Sequence, residues 1–316
     1  MEEKVRILVL GGGGFIGTNL AKHLLLDKKN KITLVDHKIS YFDILTEVEK
    51  NRMQIRTSEF SVDTDFDFLV KNQDIVYHLV STTIPATSNQ HIPQEIVANV
   101  VVTANLLEAC VRASVKRVIF ISSGGTVYGK DAESPISETS VTSPITSYGL
   151  QKLTIEKLLY LYQYMYGLDY RVIRLANPYG PYQRPNGVLG AITTFTYKAI
   201  KNEPIEVYGD GSVIRDFIYI DDAIKAIINI SDNECGTKVF NVGSGTGTSI
   251  RTVLEIISNS LNKNLKISFL PGRKVDVPVN YLDVSEYEKN FGAISVVPLS
   301  SGIKKTAKFL KNVHNI

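Results

Sequence analysis

Tyr148 and Lys152 stand four residues apart in Tyr148-Gly149-Leu150-Gln151-Lys152, at the head of a helix-like run. That spacing puts two side chains on one helix face. A free tyrosine titrates near 10 and is a poor base at neutral pH. A neighbouring ammonium favours the phenolate and makes the pair usable for proton transfer. Tyr-x-x-x-Lys is common by chance, and Tyr160 and Tyr164 read better as helix-surface residues. Tyr148 is singled out by its place downstream of Ser122-Ser123-Gly124-Gly125-Thr126-Val127-Tyr128-Gly129.

A second chemistry-bearing segment lies near the N-terminus. Val5-Arg6-Ile7-Leu8-Val9-Leu10 has the apolar texture of a buried parallel strand, and Gly11-Gly12-Gly13-Gly14-Phe15-Ile16-Gly17 follows it directly. Phe15, Ile16, Leu20, Leu24 and Leu25 then recur at helical spacing. Gly11 allows the tight turn, Gly14 lets a pyrophosphate approach the backbone, and Gly17 lets helix and strand pack closely. The helix N-terminus offers N–H groups and partial positive charge to the phosphates. Lys31-Ile32-Thr33-Leu34-Val35 is a second strand ending at Asp36, whose carboxylate would accept from an adenosine ribose and repel a 2′-phosphate. This predicts NAD rather than NADP. A glycine-rich turn with a surface Asp is the plain alternative, but strand, loop, helix, strand and acid in that order favour the dinucleotide. Beside a positively charged nicotinamide, the Tyr148 phenolate is favoured further.

Both segments need a scaffold that brings strand ends to one edge. Runs near Ile32–Val35, Ile75–Leu79, Val118–Ser122 and Tyr170–Leu175 alternate with helix-like segments, among them Ile96 to Ala113. This predicts an α/β fold with a Rossmann-type doubly wound parallel sheet over 1–177. Prolines 178, 181, 185, 204, 271, 278 and 298 crowd the second half, which reads as a smaller, interrupted C-terminal substrate lobe over 178–316. Ile218–Ile230 and Lys238–Val242 look like elements that return to the sheet side, within 212–245.

The chain has 316 residues and a net charge of +3, with no basic cluster interleaved with aromatics, so nucleic-acid binding has little support. Two cysteines exclude a disulfide framework, and Cys110 sits in an apolar helical run as a core thiol. No cluster reads as a metal site. A Met-Glu-Glu start without a signal peptide, and no stretch read as long enough to span a bilayer, lead to the expectation of a cytoplasmic protein.

Further segments carry a family resemblance: His78-Leu79-Val80, Asn99, Arg174 to Gly180, Tyr208-Gly209-Asp210-Gly211-Ser212, Arg215-Asp216-Phe217 and Arg273 to Pro278. With the two segments above, the chain resembles the extended short-chain dehydrogenase/reductases over essentially its full length. Within them it is similar to the nucleotide-sugar epimerase/dehydratase branch, and there to the UDP-glucose/UDP-galactose 4-epimerases. The resemblance implies NAD held by Gly11, Gly14, Phe15, Ile16, Gly17, Asp36, Leu79, Val80, Ser81, Asn99, Ser122, Tyr148, Lys152 and Pro178. It implies a UDP-hexose bound in the second half. Asn177 would donate to phosphate, Arg215 and Arg273 would clamp the diphosphate, and Tyr208 with Val188 and Leu189 would flank the uracil. Asp276 would take a ribose hydroxyl. The implied reaction is epimerisation at C4 through a transient 4-keto sugar, in a homodimer packed through helices including Asn99–Ala113 and Leu153–Tyr166.

The chain departs from the family at two places, the loop at Gly124–Thr126 and the position of Asn280. Gly124 stands where the epimerases carry a Ser or Thr that binds the reacting oxygen, which leaves Ser123, with Thr126 behind it, to supply the hydroxyl. Gly125-Thr126 replaces the Asp-Glu pair of the 4,6-dehydratases, so elimination of water lacks its acid and base. Asn280, four residues beyond Asp276, stands where strict galactose/glucose epimerases have a bulky Tyr, and so leans the substrate range toward N-acetylhexosamines. A reductase of 4-keto-6-deoxy nucleotide sugars and an inactive NAD-binding sensor remain as alternatives.

Overall fold

A computed structural model describes residues 4–85, 87–186, 189–272 and 277–315. Of the residues singled out above, Val188, Arg273 and Asp276 lie outside those described.

The strands in chain order are β1 (Arg6–Leu10), β2 (Lys31–Asp36), β3 (Met53–Thr57), β4 (Ile75–His78), β5 (Arg117–Ser123) and β6 (Asp169–Leu175). Then come β7 (Asn177–Tyr179), β8 (Ile205–Tyr208), β9 (Ile214–Tyr219), β10 (Val239–Val242), β11 (Gly247–Ser249), β12 (Ile267–Leu270) and β13 (Val279–Asn280). The large sheet runs β3-β2-β1-β4-β5-β6-β10, with every pairing parallel. The chain order reverses between β1 and β4, and there the strand ends open a crevice in which ligands of such sheets bind.

The apolar run at β1 follows from burial on both faces. Ile7 and Val9 pack with Leu20, Leu24 and Ile227 on one side. Leu8 and Leu10 pack with Val102, Leu106, Ile155 and Leu159 on the other. Alternate side chains of a strand point to opposite faces, so a strand covered on both sides shows no polar alternation. The α/β doubly wound expectation therefore holds.

Elsewhere the local readings needed correction. The edge strand β3 was not anticipated, because only Met53 of its five residues is buried and its pattern is weak. Ile218 and Tyr219 end β9, which belongs to a small sheet with β7, β11 and β13 rather than to the large one. The helix Ile220–Asp232 then packs on the large sheet's face, and β10 joins its edge. The helix expected from Ile96 begins earlier, at Ile92, with Pro93 in its first turn, and includes a π-helical stretch at Val97–Val101. As one unit, Ile92–Arg112 has 21 residues and is long and apolar enough to cross a membrane by those measures alone, contrary to the expectation that no such stretch exists. Its Val102, Leu106 and Cys110 are buried in the core instead. Burial also pushes the Cys110 thiol up, as a core thiol requires.

Candidate active site

The glycine loop forms the floor of the crevice. Gly11 has φ +82, a left-handed conformation that L side chains rarely adopt. A Cβ on Gly17 would sit 2.3 Å from Gly11 O, so helix and loop touch backbone to backbone. A Cβ on Gly14 would meet nothing within 4 Å except Gly11 O at 3.3 Å, which leaves its other side open for a ligand. Thr18 N–H closes the first turn onto Gly14 O at 2.9 Å, so the N–H groups of Phe15, Ile16 and Gly17 are the helix's orphan donors. Such a terminus is an anion site, and the open cradle at Gly14 fits a pyrophosphate. Asp36 ends β2 beside it. Its Oδ2 accepts from Gly13 N–H at 3.0 Å, and its Oδ1 accepts from His37 N–H at 2.8 Å. These two bonds hold the carboxylate beside the glycine loop.

The segment after β4 closes the other side. Leu79 N–H donates to Leu10 O at 3.1 Å, and Gly11 lies against Leu79 and Val80. Ser81 Oγ donates to Thr83 O at 2.8 Å. Asn99 acts on the site through its neighbours. It accepts from Thr82 N–H at 2.9 Å, and its Nδ2 donates to Gln151 Oε1 at 2.7 Å. Gln151 donates in turn to Ser147 Oγ at 2.8 Å and Glu95 at 3.1 Å. Spacing alone could not reveal this network, which pins the start of the Tyr148 helix.

That helix, Ser147–Tyr166, is capped by Thr146, whose hydroxyl accepts from Gly149 N–H at 3.1 Å. Gly149 lies tight on the loop after β5, where a Cβ would come 2.6 Å from Thr126 O. Lys152 Nζ is buried, donates to Ile121 O at 2.9 Å and lies 5.7 Å from the Tyr148 ring centroid. Desolvation pushes the half-buried Tyr148 phenol up to about 12. It pushes the Lys152 ammonium down to about 8, with the Glu156 carboxylate working the other way. Burial thus moves the Tyr148 phenol away from its ionised form, against the lowering expected from the neighbouring ammonium, and added positive charge at the site would draw it back. His78, at the end of β4, is fully buried. Desolvation first, and the Lys152 charge second, hold it near 3, so the imidazole is neutral.

Glu156 extends the same helix face by one more step. Its carboxylate accepts from Ser122 Oγ and is paired with Arg174 Nη2 at 2.7 Å, both side chains being buried. Arg174 donates to Tyr128 OH at 3.0 Å, and Tyr128 OH donates to Asn241 at 2.6 Å. The Ser122 hydroxyl is thereby committed, and any contact of Ser122 with a cofactor falls to its backbone. Ser123 is half-buried at the end of β5, and its hydroxyl has no bond among the described residues. Thr126 Oγ1 is buried without a partner among them. The structure also accounts for Gly124: a Cβ there would come 2.6 Å from Leu282 Cδ1. Leu282 is held in place by its bridge to Ile136, so a larger residue at 124 would need this contact to give.

The small sheet delivers the second-half residues. Arg215 of β9 is the register partner of Asn280 of β13. Arg215 Nη1 donates to Val277 O at 2.6 Å and Ile214 O at 2.8 Å. Asn280 is 2% exposed and reaches Gly124 O with Nδ2 at 3.3 Å, joining this sheet to the loop after β5. Asn177 Nδ2 donates to Asp216 O at 2.9 Å, which commits the donor expected at phosphate. Asp216 is fully buried and accepts from Ser244 N–H at 2.7 Å and Leu282 N–H at 3.3 Å. Burial raises its pKa. Pro178 lies in β7, and Leu189 and Tyr208 are about half exposed.

Comparison with known proteins agrees with this geometry. UDP-glucose 4-epimerase of Mycolicibacterium smegmatis is 32% identical over 98% of this chain and 99% of its own length. The UDP-N-acetylglucosamine 4-epimerase structure from Methanobrevibacter ruminantium, with UDP-N-acetylmuramic acid, superposes with a TM-score of 0.91 at 29% identity, over 99% of this chain and 100% of that one. UDP-glucuronic acid 4-epimerase of Bacillus cereus, in complex with UDP-glucuronic acid and NAD, gives 0.89 at 27% identity over 98% and 100%. The family model for the NAD dependent epimerase/dehydratase family matches residues 7–243. This chain belongs to the NAD-dependent epimerase/dehydratase family, with NAD as its cofactor.

Proposed function

We propose that the protein epimerises a UDP-hexose at C4 through a transient 4-keto sugar. The carrying observation is the Asn280–Gly124 hydrogen bond, which ties the Arg215 sheet to the loop beside Tyr148 and so supports a reading in which nucleotide binding and proton transfer share one cleft. Relatives named for UDP-glucose, UDP-glucuronate and UDP-N-acetylglucosamine support this class of substrate. NAD, when bound, would supply reversible hydride transfer at C4. Tyr148 takes the proton of the 4-hydroxyl and later gives one back. The Lys152 ammonium lowers the cost of the phenolate, and the Ser123 hydroxyl, with Thr126 behind it, steadies the reacting oxygen. Arg215 and Arg273 hold the diphosphate, and Asp276, Tyr208, Val188 and Leu189 the nucleoside.

The test is to incubate the purified protein with UDP-glucose, UDP-N-acetylglucosamine and a 4-keto-6-deoxy nucleotide sugar. C4 epimers should form without added cofactor and without net NADH consumption. Turnover of the keto sugar alone, with stoichiometric NADH, would replace this reading with a reductase, and no turnover of any sugar would leave an NAD-binding sensor. Asn280→Tyr breaks the bond to Gly124 O and should lower turnover of both sugars, with the acetamido sugar falling about ten- to a hundred-fold further where residue 280 also walls the pocket, since overpacking costs about 1–3 kcal/mol. Equal loss on both sugars would show that residue 280 acts through Gly124 rather than as a pocket wall.

A homodimer is part of the same proposal. Ile92, Val97 and Val101 on one helix, and Leu150, Leu161 and Met165 on the other, are exposed apolar residues of the two helices expected at the interface. A monomeric mass at micromolar concentration would overturn it.

A further inference from the structure

The segment Pro181–Arg184, which follows β7, is tied to the first half of the chain at three places. Asn19, buried on the helix Phe15–Leu24, donates from Nδ2 to Pro181 O at 3.0 Å. Lys22 Nζ lies 5.4 Å from the Tyr182 ring centroid. The Arg184 guanidinium carbon lies 4.0 Å from the centroid of the Tyr41 ring. Tyr41 itself stands on the glycine loop, where a Cβ on Gly13 would come 2.6 Å from Tyr41 Cβ and 3.2 Å from Asp36 Oδ2. The stacked pair is therefore beside the carboxylate assigned to the adenosine ribose and next to the loop that cradles the pyrophosphate.

The segment is also anchored from behind. The Tyr182 ring packs on Phe309 at 4.7 Å, and Gln183 Nε2 donates to Pro178 O at 3.2 Å. Tyr182 has φ +69, a left-handed conformation uncommon for a residue with a side chain. Such a conformation persists where the surroundings on both sides determine it. The result is a strap held at both ends, with the Arg184 guanidinium on the Tyr41 ring, which Lys38 Nζ also approaches at 6.0 Å, at the adenosine side of the crevice.

We propose that Arg184 and Tyr41 form a latch across the adenosine end of the crevice, and that the cofactor leaves only when the guanidinium lifts off the ring. A planar guanidinium stacks on an aromatic face and can also meet phosphate oxygens through its fork, so one residue serves ring and cofactor together. The effect falls on dissociation, where most differences between related complexes lie. The latch rests on NAD as cofactor and not on the sugar turned over, so its failure is separable from failure of the proposed reaction.

The experiment follows NADH fluorescence as NADH dissociates from the loaded full-length protein. Arg184→Ala should release NADH roughly two- to five-fold faster, the scale of an exposed cation–π contact. Tyr41→Leu, which also removes the ring's contacts with Lys38 and His37, should be at least as fast, and the double variant should be no faster than Tyr41→Leu alone, since the Arg184 contact is already lost there. Release from Arg184→Ala at the native rate would overturn the latch. So would a double variant whose effect is the product of the two singles.

Discussion

Tyr148→Phe should lower turnover by roughly 10²–10⁴-fold, the usual contribution of a positioned general acid–base group. The substitution removes one oxygen and keeps the ring, so the packing around Lys152 and the glycine loop should survive. Co-purified NAD and nucleotide-sugar affinity should therefore stay near native values. The contrast between lost turnover and kept binding is what identifies the phenol as the proton-transfer group. Turnover within a few-fold of native would show that another group moves the proton. A parallel loss of NAD would show that the ring, rather than the hydroxyl, holds the site together.

Glu156→Gln should destabilise the protein by about 3–5 kcal/mol, which makes it the largest stability effect expected of a single substitution near the site. The amide keeps the shape but leaves Arg174 as a buried, uncompensated cation among Ser122, Tyr128 and Glu138 O. Breaking a buried pair costs more than the pair contributes, because the remaining charge loses both water and partner. Thermal and denaturant unfolding should show the loss, with NADH present and absent. A change under about 1 kcal/mol, the scale of a surface pair, would mean that water reaches Arg174 in solution.

The parts of the site legible in the sequence are those made by neighbours along the chain. Gly11, Gly14 and Gly17 act within one turn between a strand and a helix, and Tyr148 and Lys152 are one helical turn apart, so periodicity alone places them together. Asp36 could be placed because the strand it ends is short and apolar. The two-sided burial of β1 was equally legible, since an unbroken apolar run has few other uses in a chain of this composition.

Tertiary structure decided what depends on residues far apart in the chain. No local pattern shows that Leu282 fills the space beside Gly124, or that Asn280 bonds to Gly124 O across 156 positions. The commitments of Asn177 to Asp216 O, of Ser122 to Glu156 and of Asn99 to Thr82 and Gln151 were invisible for the same reason. Each of those side chains has the right type for ligand binding, but type does not say which partner reaches it first. The Arg184–Tyr41 stack joins residues 143 positions apart and depends on how a proline-rich segment crosses the first helix. Spacing along the chain determined which groups could do the chemistry. Packing between distant segments decided which of them are occupied by the protein itself, because a buried polar group must find a partner, and only the fold brings that partner within reach.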